Sequence, residues 1–270
     1  MKYSICTTNY NTEDVIEDCL NSIISQIDEN NYEIIIVDNK SSDKSPQIIE
    51  RYLNKYKNIK LISMRCSRGK GRQIAFEKSK GDYIIQIDCD TIYRSEFKKF
   101  IETYEKNEFD FCIHAHYCGI YPKELLSRVG GWKDLNYAED VDLWMRLLKI
   151  NSFKWSRLII GNNIKKRVHQ NIFEKYYRKF CVIRDVMFIP CYNLKYIQKM
   201  IYKNNKSYKL IFWTIFLYIT YVSFVLKSIK LKTKDLEFNM EMYLNNIIDL
   251  EIEGETKEWW KNIPEAMPLD

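Results

Sequence analysis

Two aspartates one residue apart, Asp88 and Asp90, follow a short apolar run, Tyr83 to Ile87, that opens on a Gly81-Asp82 turn. Side chains two apart on an extended chain share a face, so both carboxylates point one way and Cys89 the other. Paired hard oxygen donors at a strand end suit a divalent cation carrying phosphates, Mg²⁺ or Mn²⁺, better than the thiol beside them. The competing reading is that both aspartates cap a turn before the helix near Ser95. A second acidic pair, Glu139-Asp140, opens a helix behind a Gly-Gly-Trp turn. The helix dipole there favours an ionised carboxylate, and simple charge balance would explain the pair equally well. Asp38 ends another apolar run, where an Asx turn is the plain alternative to a binding role. Arg68, Lys70 and Arg72 surround Gly69 and Gly71 just before a helix. Glycines allow close backbone approach and the cations suit phosphate. The stretch GKGRQI is not a full G-x-G-x-x-G, which disfavours dinucleotide binding.

The elements that must hold these residues alternate along the first two thirds of the chain. Lys2 to Thr8 predicts a strand, and Thr12 starts a helix whose Val15, Cys19, Leu20, Ile23 and Ile24 share one face. Tyr32 to Val37 predicts a second strand, Ser45-Pro46 opens a helix through Tyr56, and Ile59 to Ser63 is a third strand. The block MRCSRGKGR is read as a loop, with a helix at Gln73 to Ser79 leading into the strand that ends at Asp88. Beyond Tyr93 the pattern predicts a helix over Ser95 to Glu108, a strand over Phe111 to His116, and helices over Pro122 to Val129 and Glu139 to Lys149. Irregular strand then covers Phe153 to Val168, and a basic helix Asn171 to Met187. This alternation implies an α/β class with a mostly parallel sheet flanked by helices, whose strand ends carry the acidic groups on one rim.

Five blocks in order, TTNYN (7–11), VDNKSSD (37–43), RGKGRQIA (68–75), SKGDYIIQIDCDT (79–91) and GGWKDLNYAEDVDLWMRL (130–147), resemble those of the family 2 glycosyltransferases, whose fold is called GT-A. The resemblance covers about residues 1 to 170. It implies that Thr8, Asn9 and Asp38 hold the base and ribose of a nucleotide-diphosphate sugar (UDP-, GDP- or dTDP-linked) and that Asp88 and Asp90 carry the metal; Arg68, Lys70 and Arg72 read by their chemistry as contacts to the donor phosphates, with a solvated basic loop as the alternative. Asp88 would lie nearer the ribose or metal and Asp90 on the metal itself. Asp140 corresponds to the family's base, which deprotonates the acceptor and inverts the anomeric centre, and Glu139 contacts acceptor or donor. His169 matches a position where relatives place a third metal ligand or a diphosphate contact. Asn39 departs from the family's aspartate, and no Q-x-x-R-W motif of processive synthases is present, which favours transfer of a single sugar.

Composition sets the remaining expectations. Charged residues at 29% and hydrophobic residues at 46% describe a folded chain. From Asn151 to Lys230 there are 16 Lys/Arg against 2 Asp/Glu, and from Asp235 onward 10 Asp/Glu against 2 Lys. A helical carboxyl-terminal appendage is expected, basic over 171–234 and followed by an acidic tail, 235–270. Residues 210–226 carry no charge between two lysines and predict an apolar helix, either membrane-contacting or crossing. Together these suggest an enzyme on the cytoplasmic side of a membrane, peripheral or single-pass, or else soluble in the cytoplasm. The acceptor would be a glycan, a lipid-linked glycan or a polyprenyl phosphate. Eight scattered cysteines without C-x-x-C read as reduced thiols, and the basic segment has no recognisable nucleic-acid module. A nucleotidyltransferase on a related sheet and a silent GT-A binding module are the competing functions.

Overall fold

The computed structural model describes residues 2–164, 177, 180–181, 184–185, 217–226 and 245–257. An eight-stranded sheet runs through it, built first from β1 (Tyr3–Asn9), β2 (Tyr32–Asp38), β3 (Ile59–Ser63) and β4 (Tyr83–Ile87). β1 lies between β2 and β4, parallel to both, and pairs Asn9 with Asp38. This pairing sets the first acidic group of the rim beside the end of β1. The strands are apolar on both faces because helices cover both. Ile5, Ile34, Ile36, Ile85 and Ile87 pack on one side with α1 (Ile16–Ile24), α2 (Ser45–Lys55) and α4 (Glu96–Lys106). Cys6, Ile35, Val37 and Ile84 pack on the other with α3 (Arg68–Lys78), α5 (Lys123–Val129) and α6 (Glu139–Leu148).

The other half of the sheet differs from the expected pattern in two places. Between β6 (Cys112–His116) and α5 the chain forms a further strand, β7 (Cys118–Pro122), where none is predicted. It runs antiparallel to both β4 and β6, turning at Tyr117 with a φ of 73°. The tail also returns to the sheet. β8 (Phe153–Ile159) pairs parallel with β6 on one side and with β10 (Ile247–Ile248) on the other. The stretch 245–257 thus extends the sheet at its edge through β10, giving the strand order β10-β8-β6-β7-β4-β1-β2-β3.

A separate ribbon joins β5 (Thr91–Tyr93) to β9 (Gly161–Asn163), pairing Thr91 with Asn163 directly beyond the Asp88/Asp90 turn. Gly161 is required there, since a Cβ would lie 2.7 Å from the Ile92 carbonyl oxygen. Residues 217–226 are helical and expose Tyr218, Ile219 and Leu226. Among the described residues no helix is long and apolar enough to cross a membrane. Residues 210–216, most of the basic region 171–234 and the parts 235–244 and 258–270 of the acidic tail lie outside the described residues.

Candidate active site

Helix α3 begins earlier than the sequence pattern predicts, so Arg68, Lys70 and Arg72 stand on a helix rather than in a loop. Ser67 caps it, its hydroxyl accepting from the Lys70 amide at 3.1 Å. The glycines serve packing. A Cβ at Gly69 would lie 2.0 Å from the Lys133 carbonyl oxygen, and one at Gly71 would lie 2.6 Å from the Thr8 methyl. The first turns of α3 are therefore wedged between the end of β1 and the loop that leads into α6. That loop reaches α6 through Ala138, whose φ of 59° costs a non-glycine residue about 1–2 kcal/mol.

The wedge buries Arg72, which is only 3% exposed. Expected to reach donor phosphate, it instead directs its guanidinium at three carboxylates. Nη2 meets Asp88 at 2.9 Å, and Nη1 meets Glu139 at 2.8 Å and also Asp140. Arg68 is half-exposed and lies 3.6 Å from Glu139. Trp132 Nε1 donates to Asp140 at 3.2 Å, so the Gly-Gly-Trp turn holds the second acidic pair in place. Lys70 is half-buried on the same helix.

Three carboxylates beside two guanidiniums leave one negative charge in excess, and the protonation tendencies separate accordingly. Burial raises the Asp140 carboxyl, but the Arg72 charge and the hydrogen bonds from Arg72 and Trp132 outweigh it and hold Asp140 below the usual carboxylate range. Burial and the neighbouring Asp140 charge push Glu139 up to about 7. Burial also raises Asp88, with the Asp90 charge adding to it, against the pull of Arg72. Asp140 is therefore the ionised member and Glu139 the one that takes the surplus proton.

A folded-state pKa raised above the unfolded value gives stability that is complete below about pH 4.5 and lost as pH rises through about 7. Glu139→Gln, which keeps the shape without the charge, is expected to flatten that decline. Relative to wild type the variant should gain up to about 3 kcal/mol between the acidic and alkaline ends of the window. Urea unfolding at mildly acidic and mildly alkaline pH measures it; parallel curves would refute the assignment.

The two rim aspartates lie just past the end of β4, with Asp90 in a turn rather than on extended chain. The buried Cys89 thiol turns away and donates to the Thr8 carbonyl at 2.9 Å. Burial, and then the charges of Asp90 and Asp88, raise its pKa to about 12 and keep it protonated. Asn163 donates to one Asp90 oxygen at 2.7 Å. The Asp88 amide donates to the Tyr93 hydroxyl at 2.9 Å, and that hydroxyl donates to the Tyr117 carbonyl at 2.8 Å. On the far side, Asp38 accepts from Asn9 at 2.8 Å and from the Ser41 hydroxyl and amide at 2.6 and 3.1 Å. The Asx turn offered as its alternative is thus present, and Asp38 is buried within it. A continuous set of contacts runs from Asp38 through Asn9 and Cys89 to Asp88, Arg72 and Asp140. His169 lies outside the described residues, among which no three His, Cys, Asp or Glu are placed to hold a metal.

A cavity of about 310 Å³ opens between Asp88 and Asp140. Its other walls, Gln86, His114, His116, Tyr117 and Lys257, belong to none of the site residues that the motifs point to, and Trp144 reads from sequence as helix support. Gln86 Oε1 is buried without a hydrogen-bond partner. Trp144 Nε1 donates to the Tyr121 hydroxyl at 3.1 Å, and His114 Nδ1 lies 2.8 Å from the same hydroxyl. Burial lowers the His114 pKa to about 3, so the imidazole is neutral. The sequence held a signal for these walls: His114 and His116 are two apart at a strand end, the same spacing that singled out Asp88 and Asp90.

The sequence profile of Glycosyl transferase family 2 matches residues 4–160. Over 100 residues the chain is 40% identical to a poly(ribitol-phosphate) beta-glucosyltransferase of Bacillus spizizenii, a stretch covering 36% of this chain and 16% of that protein. It is 32% identical over 103 residues to the poly(ribitol-phosphate) beta-N-acetylglucosaminyltransferase TarS of Staphylococcus aureus, covering 37% and 18%. The matched stretches therefore span less than a fifth of these relatives. Among solved structures, TarS residues 1–349 of S. aureus in complex with UDP-GlcNAc superimposes with a TM-score of 0.56 at 21% identity, over 68% of this chain and 65% of that one. The mannosyltransferase PcManGT of Pyrobaculum calidifontis, in complex with GDP-Man and Mn²⁺, gives 0.55 at 15% identity, over 76% and 65%. These likenesses place the fold among the GT-A glycosyltransferases. With more than half of its length inside the family profile, the chain belongs to glycosyl transferase family 2.

Proposed function

We propose that the chain moves a single sugar from a nucleotide-diphosphate sugar to an acceptor hydroxyl, with Asp140 as the base and inversion at the anomeric carbon. The observation that carries this reading is Asp140 itself, held ionised by Arg72 and Trp132 on the wall of a cavity that Asp88 also lines. A base must be deprotonated and within reach of the proton it removes, and Asp140 is 22% exposed, open enough to meet a hydroxyl. It takes that proton, the acceptor oxygen bonds to the anomeric carbon, and the sugar–phosphate bond breaks with its electron pair leaving on the nucleoside diphosphate. Thr8, Asn9 and Asp38 line the base and ribose side, and Arg68 and Lys70 offer cations to the diphosphate. Arg72 positions the carboxylates.

A divalent ion fits the Asp88/Asp90 pair. Burial and then the Asp90 charge raise the proton affinity of Asp88, and each keeps a second oxygen beyond its contacts with Arg72 and Asn163. When bound, such an ion neutralises charge on the departing diphosphate. The Mn²⁺ in the mannosyltransferase complex supports this choice, and the UDP-GlcNAc complex of TarS supports UDP-GlcNAc as the first donor to try. Relatives named for poly(ribitol-phosphate) favour a polyol-phosphate chain as acceptor over a lipid-linked glycan. The exposed apolar residues of 217–226 suit a peripheral membrane contact. Residues 1–170 form the catalytic unit, completed at its edge by 245–257.

Thermal unfolding with UDP and Mn²⁺ tests the donor side. Ligand at about a hundred times its Kd stabilises the native state by roughly 2.7 kcal/mol. Asp90→Asn, which can still accept from Asn163, should lose the Mn²⁺-dependent part of that shift. An undiminished shift in the variant would remove Asp90 from the metal site.

A further inference from the structure

The tail segment that rejoins the sheet brings one cation to the cavity. β10 is only two residues long, yet the whole stretch 245–257 is tied down. Trp155 donates to the Asn246 carbonyl at 2.8 Å, and Ile159 donates to the Glu255 carbonyl at 2.8 Å. The Lys257 amide donates to the Arg157 carbonyl at 2.8 Å. Arg94 pairs with Glu255 at 3.2 Å, and Gly254 fits a place where a Cβ would come 2.9 Å from Leu158. At the end of this stretch His116 Nε2 lies 2.8 Å from the Lys257 carbonyl oxygen. That bond joins the segment to a ring that itself lines the cavity. Lys257 is fixed at its backbone and is exposed, and it lines the cavity.

The cavity's lining carries charge of both signs. Asp88 and Asp140 are both engaged with the buried Arg72. Lys257 is the cationic member of the lining. Other walls are neutral and polar: His114 and His116, both lowered chiefly by burial, Tyr117, and Gln86 with its unpartnered Oε1. A site so arranged suits a molecule that presents a hydroxyl to Asp140, further hydroxyls to Gln86 and the imidazoles, and an anion to Lys257. At about 310 Å³ it lies at the small end of ligand pockets, room for one short unit of a chain.

From this arrangement we infer that the returning carboxyl-terminal segment completes the acceptor subsite, and that Lys257 selects an acceptor bearing a phosphate next to the hydroxyl to be glycosylated. The inference deepens the transferase reading and rests on it for the word acceptor. The test uses direct binding to the full chain without nucleotide, read by saturation-transfer NMR or calorimetry with ribitol 5-phosphate and with ribitol. Wild type should bind ribitol 5-phosphate at least tenfold more tightly than ribitol. Lys257→Ala should erase that preference, and Lys257→Arg should keep it within about threefold. The Lys257 side chain is exposed, so neither variant is expected to unfold, which a melting curve checks. Equal binding of the two probes by wild type, or an undiminished preference in Lys257→Ala, overturns the inference. Failure of the donor reading looks different. A chain that binds ribitol 5-phosphate through Lys257 but shows no UDP-dependent stabilisation keeps the anion subsite and loses the transferase assignment.

Discussion

Asp140→Asn should lower kcat for sugar transfer by roughly 10²–10⁴-fold, the usual contribution of a positioned general base, while leaving the Kd for UDP with Mn²⁺ within about twofold. The substitution isolates the proton-accepting role unusually well here. The asparagine oxygen can still accept from Trp132 Nε1 and from Arg72, so the first turn of α6 keeps its seat. Removing one negative charge also relieves the excess among Asp88, Glu139 and Asp140. It also gives up the pairing that holds Asp140 ionised, so a melting curve beside the rates separates lost transfer from lost stability. Initial rates with a UDP-sugar and nucleotide binding by calorimetry give the two numbers. Transfer within tenfold of wild type would remove Asp140 as base.

Arg72→Met should have the largest effect on stability. The guanidinium is the shared partner of three carboxylates, two of them on a different helix from its own. Breaking a buried ion pair by removing one member typically costs about 3–5 kcal/mol, because the remaining charge is left without compensation. Methionine fills much of the volume, so a cavity contributes little. The sign of the pH dependence follows. Unpaired buried carboxylates have raised proton affinities, so the variant regains stability as pH falls and they protonate, and loses it as pH rises. Arg72→Lys should recover only part, since a single ammonium cannot span the fork that joins α3 to β4 and α6. Urea unfolding at two pH values measures this, and a loss below about 1 kcal/mol would mean that Arg72 does not bind the cluster together.

These two side chains also show how far the residues could be read before the fold. The i, i+2 reading takes 88–90 as extended chain, whereas β4 ends at Ile87 and Cys89 and Asp90 lie in a turn, with the Cys89 thiol directed at the Thr8 carbonyl. Asp140 stands out by residue type within its block, whereas its partner Arg72 reads from the sequence as a phosphate contact. Nothing local distinguishes a cation facing solvent from one wedged under a neighbouring loop. The glycines around it read as loop, yet Gly69 and Gly71 are there because Lys133 and Thr8 leave no room for a Cβ. β7 was missed for a related reason. Its Cys-Gly-Ile-Tyr-Pro contains both turn residues, but Gly119 is imposed by His114 Nδ1, 2.4 Å from where a Cβ would sit. β10 offers two isoleucines in an acidic tail, a strand created only by the distant edge of β8. Contacts between segments far apart in sequence leave no periodicity behind, and Lys257 was invisible for that reason.

The convergence of Asp38, Asp88, Asp90 and Asp140 on one donor is the claim everything else needs, and a crystal structure of the chain with UDP and Mn²⁺ tests it most directly. The predicted result is a metal on Asp90 and Asp88, the uracil beside Asp38, Asn9 and Thr8, and the Asp140 carboxylate opening on the cavity past the terminal phosphate. Nucleotide bound away from the Asp88/Asp90 turn, or Asp140 lying on the uracil side of the diphosphate, would contradict it.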